Sequence, residues 1–221
     1  MLMDIVYEDN HLIIVNKSAG ELSQSDYTRD LSLLDKVKNY IKTKYKKPGN
    51  VYLGLVNRLD RPTSGLVIFS KTSKSLARMN KLLKERKIKK IYNAITEKSP
   101  NPKKGTLINF LKKNQIKNKS FIVNENELKS KKAILHYTLI KKLKNFFLIE
   151  IMLETGRHHQ IRSQLANIGC VIKGDVKYGA KRANKDKSIC LHAKNIEFIH
   201  PITKAKISLD ANPPKSNIWS N

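Results

Sequence analysis

Two short stretches of this 221-residue chain carry side chains suited to acid–base or nucleophilic chemistry. In the first, NRLDRPTSG over residues 57–65, a single carboxylate, Asp60, stands between Arg58 and Arg61 and a Pro-Thr-Ser-Gly turn follows. Nearby guanidinium groups favour the ionised carboxylate. An ionised carboxylate on a loop between two strands can act as nucleophile or base. The same residues also fit a plain ion pair in a turn, and the local pattern leaves both readings open. In the second stretch, ETGRHHQIR over 154–162, Gly156 breaks a strand and a helix begins close to His158. A helix N-terminus favours anions. Arg157 and Arg162 are five apart and do not share one helical face, so one can meet phosphate while the other turns inward. His158 and His159 are adjacent, so their side chains diverge on a helix; no HExxH pattern and no carboxylate at ligand spacing accompanies them. No metal site is expected, and the histidines read as hydrogen-bonding or RNA-contacting groups. Tyr92, on a strand after KIKK, is by default a core aromatic.

The partner suggested by charge is a polyanion. The chain has 44 Lys and Arg against 18 Asp and Glu, a net of +26. The excess is uneven: residues 61–149 hold 23 basic residues and four glutamates, a net of +19. Such a balance fits nucleic acid, although a lysine-biased composition with solvated faces gives a similar count. Only eight of the 44 basic residues are arginine, and four of them are Arg58, Arg61, Arg157 and Arg162. Lysine cannot supply the planar fork of donors that arginine offers a carboxylate or phosphate. Arginine in a lysine-rich chain therefore points to a geometric need.

Other classes find little support. Walker, GxGxxG and GxSxG patterns are absent, so no nucleotide or nicotinamide cofactor is expected. No run of about eighteen apolar residues predicts a membrane span, and MLMDIVYEDN does not read as a signal peptide. Cys170 and Cys190 stand alone, with no metal spacing, which suits a reducing cytoplasm. A monomeric, cytoplasmic protein is expected.

These groups need a scaffold. DIVYE and HLIIVNK read as strands split by Asp9-Asn10. SLLDKVKNYIKTKY carries a helical stripe of Leu33, Leu34, Val37, Tyr40 and Ile41, with Ser32 as cap and Pro48-Gly49 beyond its end. VYLGLV predicts a strand entering the Asp60 loop and GLVIFSK one leaving it. SKSLARMNKLLKERK predicts a basic amphipathic helix with Leu76, Met79, Leu82 and Leu83 on one side. KKIYNAITE, GTLINFLKK, SFIVNE, KAILHYTLIKKL and NFFLIEIMLE predict strands, the last two forming a hairpin across Lys144-Asn145. A helix is expected to end at Gly169. GDVKYGAKRANKDK reads as a polar loop, ICLHAKNIEFIH and AKISLD as closing strands, and NPPKSNIWSN as an irregular tail. The class is α+β with a mixed, mostly antiparallel sheet flanked by helices, in one domain spanning 1–221.

Taken in order, the stretches IIVNKSAG (13–20), NRLDRPTSGLVIFSKT (57–72), KIYNAI (90–95), ETGRHHQIRSQLANIGCVIKGDVKYG (154–179) and LHAKNIEFIHPIT (191–203) resemble the RluA-type pseudouridine synthases. The resemblance spans about residues 4–210. It implies a pseudouridine synthase catalytic fold that isomerises uridine in structured rRNA or tRNA without a cofactor. It makes Asp60 the catalytic aspartate, Tyr92 the aromatic that packs on the target base, and Arg162 the arginine paired with the aspartate. Arg58 matches an arginine that enters the RNA stack when the uridine leaves, and Asn57, Arg61, Arg157 and His159 are expected on the RNA side. The family pattern has His at Asn57, Pro at Ser18, His at Gln164 and Pro at Val171. The separate N-terminal RNA-binding domain of many relatives has no counterpart in the resemblance.

Overall fold

Short apolar runs separated by turn residues become strands, and two capped, amphipathic runs become the longer helices. The computed structural model describes residues 3–28 and 30–220. In chain order its first elements are β1 (Asp4–Glu8), β2 (Leu12–Lys17), α1 (Leu33–Lys44), β3 (Gly54–Leu55), β4 (Ser64–Ser70) and α2 (Ser73–Lys84). Then come β5 (Lys89–Thr96), β6 (Lys104–Asn114), β7 (Lys119–Val123), β8 (Lys131–Lys142), β9 (Phe147–Leu153) and α3 (Gln160–Asn167). A 3-10 turn (Val176–Tyr178), β10 (Leu191–Ile199), β11 (Lys206–Asp210) and α4 (Asn217–Ser220) complete the chain. The expected class holds: the fold is α+β with a mostly antiparallel sheet. Two compact units are present, Met1–Ile88 with Lys194–Pro213, and Lys89–Ala193 with Pro214–Asn221.

In the first unit β1 and β2 form a hairpin turned by Asp9, whose carboxylate accepts from the backbone N–H of His11 and Leu12, each at 2.7 Å. β2 pairs antiparallel with β4, Leu12 opposite Ser70 and Lys17 opposite Gly65. Helix α1 starts in a capping box: Ser32 accepts from the Asp35 N–H while the Asp35 side chain reaches back to the Ser32 N–H. It buries Leu33, Val37 and Ile41, the face its stripe predicts. Thr72 caps α2, accepting from the Ser75 N–H at 3.1 Å. Met79 of α2 is fully buried in a cluster with Leu12, Ile14, Leu66, Ile68, Ile196 and Phe198, and Leu76, Leu82 and Leu83 pack against it. A β-carbon at position 54 would lie 2.5 Å from Leu76 Cδ2, so Gly54 permits the close approach of α2 to β3.

The strand expected over 51–56 is reduced to Gly54–Leu55. At its start the partner runs out, since Gly54 stands opposite Ser70, the last residue of β4; at its end a side chain intervenes. Asn57 Nδ2 donates to Leu66 O at 3.2 Å and its Oδ1 accepts from Ile68 N at 2.8 Å. An amide side chain therefore occupies β4 backbone groups that a continuing strand would use.

In the second unit the strand order is β5-β9-β8-β6-β7, each pair antiparallel. The β8–β9 hairpin turns across Lys144-Asn145 as expected, with Lys142 opposite Phe147. Helix α3 stops before Gly169, which has a left-handed φ of 76°. The stretch read as a polar loop contains the 3-10 turn. The tail read as irregular forms the short α4 instead; the Trp219 N–H donates to Ser216 O at 3.0 Å and the Trp219 ring meets His192 edge-on at 6.1 Å. Cys170 and Cys190 are free and buried, and burial pushes both thiols up. Among the described residues no helix is long and apolar enough to cross a membrane.

Candidate active site

Asp60 lies on the loop between β3 and β4, partly buried, directly after the buried Leu59. Ser23 grips Leu59 from both sides: its Oγ donates to Leu59 O at 2.9 Å and accepts from Leu59 N at 3.1 Å. The Thr63 N–H donates to Asp60 O at 3.0 Å and closes a turn with Arg61 and Pro62 at its centre. Arg61 is tied to the turn after β2: its O accepts from Gly20 N at 2.7 Å and its Nε donates to Gly20 O at 3.0 Å. Its guanidinium also meets Asp30 at 2.8 Å near the surface. Arg58 is exposed.

Beneath this loop lies Lys17, 1% exposed. Its ammonium donates to Ser18 O and Glu21 O at 2.9 Å and to Arg61 O at 3.3 Å. Burial holds its pKa down to about 8, with attraction to Glu21 and Asp60 acting the other way. Lys17 thus clamps two turns together and adds positive charge near Asp60.

The second unit carries the other candidates. Tyr92 on β5 is 7% exposed and stands opposite Ile151 of β9. Arg162, in the first turn of α3, is 5% exposed and forms a bidentate pair with Asp175, which is 1% exposed: Nε to Oδ2 at 2.7 Å and Nη2 to Oδ1 at 2.8 Å. Its Nη1 lies 3.0 Å from His159 Nε2. Guanidinium nitrogens only donate, so Nε2 accepts and the imidazole proton sits on Nδ1, which faces the Tyr178 hydroxyl at 3.0 Å. That hydroxyl accepts from Ser120 N at 2.9 Å and donates to Ser120 O at 3.1 Å. The Tyr178 ring packs against the Arg162 guanidinium, with 5.1 Å from its centroid to Cζ.

Backbone geometry serves this cluster. His159 adopts φ 52°, ψ 27°, a left-handed conformation uncommon outside glycine. It stacks on His158 at 3.8 Å, and His158 is held by the Ser120 hydroxyl. Gln160 braces the helix start, its Oε1 accepting from Arg157 N at 2.9 Å and Thr155 Oγ1 at 2.8 Å. Gly174 has φ 86°, and a β-carbon there would fall 2.7 Å from Ser188 O, so only glycine delivers Asp175 in this way.

A sequence profile described as RNA pseudouridylate synthase matches residues 11–167. The chain belongs to the RNA pseudouridylate synthase family. It is a pseudouridine synthase, an enzyme that isomerises uridine in RNA to pseudouridine. Among similar curated proteins, the ribosomal large subunit pseudouridine synthase C of Rickettsia prowazekii (strain Madrid E) is 37% identical over 95% of this chain and 68% of its own length. The ribosomal large subunit pseudouridine synthase D of Zymomonas mobilis subsp. mobilis is 33% identical over 96% of this chain and 70% of its own length. The solved structure of human RNA pseudouridylate synthase domain containing 4 shares the fold: the TM-score is 0.81 over 98% of this chain and 91% of that one, at 21% identity. RluA-type membership, expected from the motifs, is thereby shown.

Within the pseudouridine synthase frame, the expected site residues divide between the two units. Asn57, Arg58, Asp60 and Arg61 belong to the first; Tyr92, Arg157, His159 and Arg162 belong to the second. His159 and Arg162 share a hydrogen bond. His159, expected on the RNA side, is buried, and both of its ring nitrogens face protein groups. Asn57, expected beside Arg58 on the RNA side, has its amide engaged on β4. Arg157 is exposed, its Nε held by Lys132 O at 2.9 Å. Sequence reasoning assigned no part to Lys17, Ser120, Asp175 or Tyr178. For Asp175 a signal existed: an acid is scarce in this chain, and this one sits behind a glycine in GDVKYG. Among the described residues no group of His, Cys, Asp or Glu is placed to hold a metal ion.

Proposed function

We propose that this pseudouridine synthase acts on large-subunit ribosomal RNA, with Asp60 as the catalytic carboxylate, Tyr92 as the ring against the target uracil, and Arg162 as the guanidinium that the family pattern assigns to that carboxylate. The observation that carries the reading is the extent of the family match, residues 11–167, which contains all three. The names of the relatives from Rickettsia and Zymomonas support ribosomal over transfer RNA. A ribosomal substrate puts the enzyme with ribosome assembly, in line with the cytoplasmic expectation.

The reaction breaks the N1–C1′ bond, turns the uracil and joins C5 to C1′; the C5 proton leaves and N1 ends protonated. A carboxylate can attack C1′ or remove the 2′ proton, and both roles need it ionised. The positive charge of Lys17 near Asp60 favours that state. The detached uracil must be kept in place, and a flat aromatic wall does this. A base in a helical stack is out of reach, so the uridine is flipped at a cost of a few kcal/mol. Arg58, exposed on the Asp60 loop, is suited to stack in the gap. The high positive charge favours a phosphate-driven footprint.

The test uses purified protein with large-subunit rRNA and, separately, total tRNA, followed by carbodiimide mapping of pseudouridine. Asp60→Asn is nearly isosteric but a poor nucleophile and base. It should abolish formation while RNA binding persists. Near-normal pseudouridine formation by Asp60→Asn would overturn the catalytic assignment, and modification of tRNA alone would overturn the substrate.

A further inference from the structure

Among the described residues two lysines have ammonium groups whose pKa is held down by burial, Lys17 and Lys90. They differ in what surrounds the charge. Lys17 donates to three backbone carbonyls. For Lys90, burial is the sole influence, and among the described residues its ammonium makes no hydrogen bond or ion pair. A cation withdrawn from water without a counter-charge is unfavourable. Lys90 is half-buried and the adjacent Lys89 is exposed, so the basic run KIKK turns one member part-way into the protein with no counter-charge beside it.

The position of that charge is defined within the second unit. Lys90 immediately precedes Ile91, which stands opposite Met152 near the end of β9. From there the chain runs through Glu154 and Thr155 to Gly156. Lys90 Nζ lies 3.5 Å from the place a β-carbon at Gly156 would take. Gly156 is exposed and has no side chain, so the ammonium sits beside bare, solvent-facing backbone. Arg157 follows, exposed and anchored through its Nε to Lys132 O. The carboxylate of this junction, Glu154, is directed to His136 Nε2 at 2.6 Å. Residues two apart on a strand share a face, so Lys90 lies on the Tyr92 face of β5, about 7 Å along the strand from it.

We propose that Lys90, with the Gly156–Arg157 backbone beside it, forms a subsite for one backbone phosphate of the RNA, that of the target uridine or its immediate neighbour. A phosphodiester supplies the charge that the protein withholds. Lysine suits this as a point-charge binder that does not demand a bidentate partner. The distance from Lys90 to Tyr92 is comparable with that from a base to its own phosphate. The inference rests on the reading of Tyr92 as the ring against the uracil.

The experiment replaces single phosphates around the target uridine with uncharged methylphosphonates, one at a time. Binding and single-turnover pseudouridine formation are compared for the wild type, Lys90→Met and Lys90→Arg. Lys90→Met should weaken binding about tenfold, as for one charge-assisted hydrogen bond. It should lower the slope of log K against log salt by about 0.7, and Lys90→Arg should restore much of both. One methylphosphonate position beside the target should weaken the wild type by a similar factor and add nothing in Lys90→Met. Additive effects at every position, or unchanged binding by Lys90→Met, would overturn the subsite. Lys90→Gln is a second neutral variant should methionine disturb folding, which circular dichroism reports. Failure of the wider reading is distinguishable: wild type that binds with this coupling yet forms no pseudouridine refutes the enzyme's assigned substrate, not the subsite.

Discussion

Asp175→Asn is the sharpest perturbation the structure offers, because it changes one atom of a buried ion pair. Both Asp175 oxygens are used by Arg162, at 2.7 and 2.8 Å, with the two side chains 5% and 1% exposed. Asparagine has one acceptor and one amide; whichever way it turns, an N–H faces a guanidinium N–H. Removing one partner of a buried pair costs about 3–5 kcal/mol because the remaining charge loses the carboxylate that met two of its N–H groups. For a chain of this size, with a urea slope near the upper end of about 1–3 kcal/mol/M, the midpoint should fall by about 1–2 M. Urea titrations followed by circular dichroism measure this directly. Replacing both partners, Arg162→Met with Asp175→Leu, removes the guanidinium that would face an amide and should recover most of the loss. The double variant should nevertheless form no pseudouridine, which separates stability from the chemistry assigned to Arg162. Under folded conditions Asp175→Asn should lower the single-turnover rate more than it weakens RNA binding, as expected of a positioning residue. A stability loss below about 1 kcal/mol, or a double variant no more stable than the single one, would refute the reasoning.

Three further outcomes are expected. Burial pushes the Glu8 carboxyl up, but hydrogen bonds from Lys44, Lys71, Tyr45 and Tyr40 outweigh it and bring the pKa from 4.5 down to about 2; the stabilisation is therefore full above about pH 4.5 and is lost as pH falls towards 2. Glu8→Gln should be less stable than wild type at pH 7, by about 1.5–3 kcal/mol, with the gap closing below pH 3; a gap independent of pH in urea melts would contradict this. Tyr92→Phe should keep most of the single-turnover rate while Tyr92→Ala loses it, and equal rates for Tyr92→Ala and wild type, with folding intact, would return Tyr92 to a core role. RNA affinity should fall steeply and linearly in log K against log salt, so a flat plot would exclude a mainly phosphate-driven interface.

Much of the scaffold was legible because its causes are local. The stripe Leu33-Val37-Ile41 with Ser32 before it specifies α1, and Leu76-Met79-Leu83 after Thr72 specifies α2. The turn at Lys144-Asn145 fixes the register of β8 on β9. What escaped depends on residues far apart in sequence. Nothing near VYLGLV announces that Asn57 will bond to Leu66 and Ile68 and cut β3 short. His159 looks like a surface histidine in ETGRHHQIR; it is buried because Tyr178, nineteen residues later, receives its ring. Asp175 is unremarkable until α3 brings Arg162 to it. The motif residues themselves were legible, since RLDRPTSG and TGRHHQIR are specific to the family. The groups that hold them, Lys17 and Asp175, emerge only with the fold.

The hydrogen bonds behind Arg162 have a fixed polarity. Each proton in the series is committed: the guanidinium gives to His159 Nε2, His159 Nδ1 gives to the Tyr178 oxygen, and the Tyr178 hydroxyl gives to the carbonyl of Ser120. The series ends on a peptide oxygen that has no proton to return, so it cannot serve as a wire. It works as a truss instead, carrying orientation from β7 to α3 and no charge. The imidazole proton of His159 should accordingly exchange slowly with solvent deuterium, and the protons that move during catalysis must travel by another route.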